Sequence, residues 1–94
     1  MPSMNEEELK KIKRLVDEVI YSQTKRDAIR PFARLNFAIS SISHNIPVSA
    51  ALKLQEVAAY AKEASGQARM KEHWISCMET SWYSFESIVS TKLK

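Results

Sequence analysis

A single glycine, Gly66, serves the whole 94-residue chain. Folds built from strands reverse direction often and draw on residues that turn at positive φ or fix a bend. Prolines at 2, 31 and 47 add little to that supply. So few turn-formers argue against an all-β fold and for long elements joined by few connections. Apolar residues recur at helical spacing, so the expectation is an all-α protein. At this length the chain reads as one domain, 1–94, which buries roughly 60–65% of the surface its unfolded form exposes.

Four helices follow from the periodicity. The first runs from Asn5 to Ser22, with Asn5 and Glu8 in capping-box spacing and Leu9, Ile12, Val16, Val19 and Ile20 as its apolar stripe. The second carries Ala28, Phe32, Leu35, Ile39 and Ile42 on its inner side and closes at His44-Asn45. Thr24 is a candidate cap for it, with Asp27 three residues on. Pro31 cannot donate a backbone hydrogen bond, so this helix is either kinked or started at Pro31. The third starts between Pro47 and Ser49 and ends at Gly66, with Ala50, Leu54, Val57, Ala61 and Ala64 facing inward. The fourth runs from about Ala68 to Leu93. Its stripe is Ile75, Met78, Trp82, Phe85 and Val89, widened by Met70, Trp74, Cys77 and Ile88. Short connections between four helices predict a small antiparallel four-helix bundle.

The most distinctive surface lies opposite the core of the second helix. Arg26, Arg30, Arg34, Phe37, Ser41 and His44 fall together on one side. Like charges at i, i+4 weaken an isolated helix by roughly 0.2–0.5 kcal/mol per pair, and a large aromatic on a charged face is out of place if that face is merely solvated. Charge is concentrated there. Between Lys10 and Arg34, eight basic residues against three acids leave +5, whereas the whole chain carries +3. Lys10 and Arg14 on the first helix extend the basic surface. Such a face suits acidic or phosphate groups, with Phe37 supplying apolar contact area.

Catalytic patterns are missing. There is no G-x-S-x-G elbow and no glycine-rich phosphate loop. His73 and Cys77 stand four apart, but zinc needs three or four ligands, so no metal site and no cofactor are expected. Arg69 and His73 fall one residue short of the Arg-(four to six residues)-His motif of HEPN-type ribonucleases, and Met70 replaces the polar residue that usually follows that arginine.

The functional expectation is a non-enzymatic protein that binds a partner macromolecule as an inhibitor, adaptor or regulator, through Arg26, Arg30, Arg34, Phe37 and His44, with Lys10 and Arg14. In size and shape, though in no shared motif, it is analogous to small phage- or plasmid-encoded inhibitors. A protein with an acidic surface is the favoured partner. The alternative is binding of nucleic acid or a nucleotide or phosphate ligand by the same basic face. The aromatics of the fourth helix also suggest a homo-oligomer seam. The lone Cys77 fits a reducing compartment, and no apolar run follows Met-Pro-Ser-Met, so a cytoplasmic or host-cytoplasmic location without a membrane is expected.

Overall fold

The computed structural model describes residues 6–93, and every regular element among them is helical. Helix α1 spans Glu6–Ile20, α2 Ile29–Ile42, α3 Val48–Ala64 and α4 Lys71–Leu93, with a 3-10 turn over Ser43–Asn45. The four helices pack together, and α3 packs against all three of the others, while α4 rests chiefly on α3. No helix among the described residues is long and apolar enough to cross a membrane.

Each helix buries the stripe its spacing marks out. Ile12, Val16, Val19 and Ile20 of α1 meet Leu35 and Ile39 of α2 in one interior with Leu54 and Val57 of α3. Ala50, Ala58, Ala61 and Ala64 are also buried on α3. These short side chains let Met78, Trp82, Phe85 and Val89 of α4 approach closely and reach full burial. Ser81, buried on α4, is satisfied by donating to Glu56 Oε1 of α3 at 3.0 Å.

Two lysines tie the helix ends together. The Lys71 ammonium, at the start of α4, donates to the carbonyls of Ile20 (2.5 Å), Ala64 (2.7 Å) and Gly66 (2.8 Å). Those carbonyls lie at the ends of α1 and α3, where intrahelical partners run out and the dipole favours a cation. Burial, and next the nearby Lys25 ammonium, push the Lys71 pKa below the usual lysine range. Lys25 in turn donates to Lys62 and Glu63 in the last turn of α3, at 2.8 and 2.9 Å.

Several boundaries differ from the periodicity. Thr24 Oγ1 accepts from the Asp27 amide at 3.0 Å, and the Ala28 amide donates to the Thr24 carbonyl at 3.2 Å. Thr24 therefore caps a separate helical turn ahead of α2, whose own N-cap is Ala28 without a side-chain bond. Pro31 is the third residue of α2, so the helix begins two residues before it. There the missing amide is one that has no intrahelical acceptor in any case. Helix α4 begins at Lys71 rather than Ala68, because Met70 takes φ 57°. Met70 is consequently exposed and does not widen the α4 stripe. The Asn5 side of the expected capping box lies outside the described residues.

Candidate partner-binding groove

Helices α1 and α2 pack on each other, with Ile12, Leu35 and Ile39 in the shared core. An open groove of about 630 Å³ runs between the two helices. Glu8, Lys11, Ile12 and Leu15 line it from α1, and Ala33, Arg34, Phe37, Ala38, Ser41 and Ile42 from α2. The floor is apolar, from Ile12, Leu15, Ala38 and Ile42. Its charged lining is Glu8 and Lys11 on the α1 side and Arg34 on the α2 side. Phe37 lines it with 76% of its surface exposed. The Ser41 hydroxyl donates to the Phe37 carbonyl at 3.0 Å, so its lone pairs are what it offers the groove.

Of the residues singled out in the sequence, Arg34 and Phe37 line the groove together. Arg30 lies one turn before Arg34 on the same face and is exposed. Arg26 does not join them, because it sits in the turn ahead of α2. His44, in the 3-10 turn beyond Ile42, is exposed past the end of the groove. Lys10 and Arg14 are exposed on α1. At about 100° per residue their side centres roughly 100° round α1 from Lys11 and Leu15, and neither lines the groove.

The groove's α1 wall was not foreseen. Leu15 is its sequence signal, an apolar residue off the main α1 stripe, one turn after Lys11. Ala33, small and exposed one turn before Phe37, is the matching signal on α2.

Two features set the cations of this face apart from an ordinary solvated surface. Two ion pairs join described residues, Lys13–Asp17 and Lys53–Glu56, and neither uses Lys11, Arg30 or Arg34. In addition, α2 has no acid in its first turn and places Arg30 there as its second residue. A positive charge at that end opposes the helix dipole by about 0.3–1 kcal/mol.

Elsewhere the chemistry is sparse. His73 Nε2 lies 3.7 Å from Cys77 Sγ, and His73 also meets the Trp74 ring edge-on at 5.1 Å between centroids. No cluster of three or more potential metal ligands occurs among the described residues. The aromatics of α4 divide between interior and surface. Trp82 and Phe85 are buried against each other, Trp74 stacks half-buried on Tyr60, and Tyr83 is exposed. Comparison with known protein families, with curated proteins and with solved structures finds no significant match to this chain.

Proposed function

We propose that this is a non-enzymatic protein that acts by occupying the surface of another protein, as an inhibitor, adaptor or regulator. Arg30, Arg34 and Phe37 of α2 are its contact residues, and an acidic protein surface is its target. This reading takes the four helices as an antiparallel bundle, which their short connections favour. It also takes the protein as working in a reducing, cytoplasmic compartment, which the single cysteine favours.

The observation that supports it is an exposed phenylalanine at an apolar groove whose lining also carries Lys11 and Arg34 against the single acid Glu8. Burying Phe37 in an interface recovers apolar area at ~25 cal/mol per Å². The arginines steer an acidic partner into register. A nucleic-acid track calls for a continuous positively charged groove, whereas this lining holds only Lys11 and Arg34 beside the acid Glu8.

The test is recovery of partners on immobilised protein at moderate salt, with nuclease treatment, for the wild type and for Arg30→Glu/Arg34→Glu, Phe37→Ala and Arg69→Glu. The reading expects a nuclease-resistant protein retained by the wild type and by Arg69→Glu. Charge reversal should abolish its capture, and Phe37→Ala should weaken it by about 2 kcal/mol or more, the scale of an interface hot spot. Equal capture by the charge-reversed variant contradicts the reading. Nuclease-sensitive material lost steeply with salt replaces it with nucleic-acid binding.

A further inference from the structure

We infer that the groove between α1 and α2 receives one amphipathic, acidic α-helix of the partner, its apolar stripe against Ile12, Leu15 and Ala38 and its carboxylates against Lys11 and Arg34. The inference rests on the protein-binding reading above and adds the kind of element that binds.

Length comes first. The α2 wall runs from Ala33 to Ile42, about 13 Å at 1.5 Å per residue. A helix anchoring through residues i, i+3 or i+4, and i+7 spans about 10.5 Å, so three successive anchors fit the groove. Both walls are themselves helices, so a third helix laid between them meets ridges and grooves of its own spacing.

Charge decides between occupants. Lys11 lines the α1 wall and Arg34 the α2 wall, so a helix lying between them with carboxylates on both flanks of its apolar stripe meets a cation on each side. A second copy of this chain docked by the same face would gather two Lys11 and two Arg34 in one interface against two Glu8, a net excess of positive charge. An acyl chain or other small amphiphile would be poorly covered. Sites for such ligands enclose about 70–90% of the ligand's surface, whereas this groove lies open to solvent.

The experiment uses designed 18-residue helical peptides with a leucine stripe at i, i+3, i+4 and i+7 and glutamates on both flanks of it, in four registers of glutamate against stripe. Binding is followed by fluorescence anisotropy and by methyl resonances of Ile12, Leu15 and Ala38. Comparison peptides carry lysine for glutamate, or serine for leucine, and polyglutamate supplies acid without helix or stripe. The expected result is saturable binding by at least one acidic amphipathic peptide at a Kd below about 1 mM, with the three methyl groups shifted. Lysine for glutamate, or Arg34→Glu in the protein, weakens it about tenfold or more. Serine for leucine removes the methyl shifts, and Arg69→Glu changes nothing. Equal binding by polyglutamate or by the serine peptide overturns the helix inference while leaving an acidic partner standing. So does failure of all four registers when partner capture still depends on Arg30 and Arg34. Failure of the peptides together with capture indifferent to those arginines overturns both.

Discussion

Gly66 closes α3 at a point where a side chain has no room. Its φ is +65°, and a Cβ built there would stand 2.7 Å from the Lys25 amide nitrogen and 2.7 Å from the Thr24 carbonyl carbon. The left-handed conformation alone costs an L-residue ~1–2 kcal/mol, and overpacking against backbone adds ~1–3. Gly66→Ala should therefore lower stability by ~2–5 kcal/mol, read as a shift of the urea midpoint at unchanged slope. Lys71 presents the complementary case, a charge inside a knot of carbonyls. Lys71→Met leaves the Ile20 and Ala64 carbonyls without this donor, an expected loss of ~1–3 kcal/mol, whereas Lys53→Met at the half-exposed Lys53–Glu56 pair should cost under ~1 kcal/mol. Denaturation of both variants checks the contrast. Gly66 was legible as a helix terminator, since a lone glycine after an apolar-periodic run marks one. Its packing on Thr24 and Lys25, and the reach of Lys71 to a carbonyl 51 residues away, were not, because no local pattern encodes a contact between distant backbone segments.

Among the elements, α2 gives up stability that its sequence could have had. Pro31 sits in the first turn, so Pro31→Ala should change stability by no more than ~1 kcal/mol. Leu54→Ala in the centre of α3, fully buried, should cost ~2–5. Arg30 opposes the dipole of its own helix. Arg30→Glu should raise stability by ~0.3–1 kcal/mol while lowering partner capture, and opposite signs in thermal unfolding and binding are the signature to look for. The four helices themselves were legible because each carries a stripe at 3.6-residue spacing, and the buried apolar residues of α1 and α4 fall on those stripes. Their ends were less so. Thr24 had a cap's sequence, yet its hydroxyl serves a preceding turn. Met70 at positive φ starts α4 later than the apolar run does.

Over the whole molecule, α3 is the shared support, with α4 resting on it and α1 and α2 packed against it and each other. That arrangement turns a face read from one helix into a groove between two. Arg34 and Phe37 could be placed on the outer side of α2 from spacing alone. Lys11, Leu15 and Glu8 could not be set opposite them, because that depends on the rotation and separation of α1 relative to α2. The most direct measurement is amide hydrogen exchange of the purified complex with its captured partner, compared with the free protein. Slowed exchange confined to residues 8–15 and 33–42, lost with Arg30→Glu/Arg34→Glu, is the predicted result. Slowed exchange on α4 around Trp74 and Tyr83, with 33–42 unchanged, would contradict it.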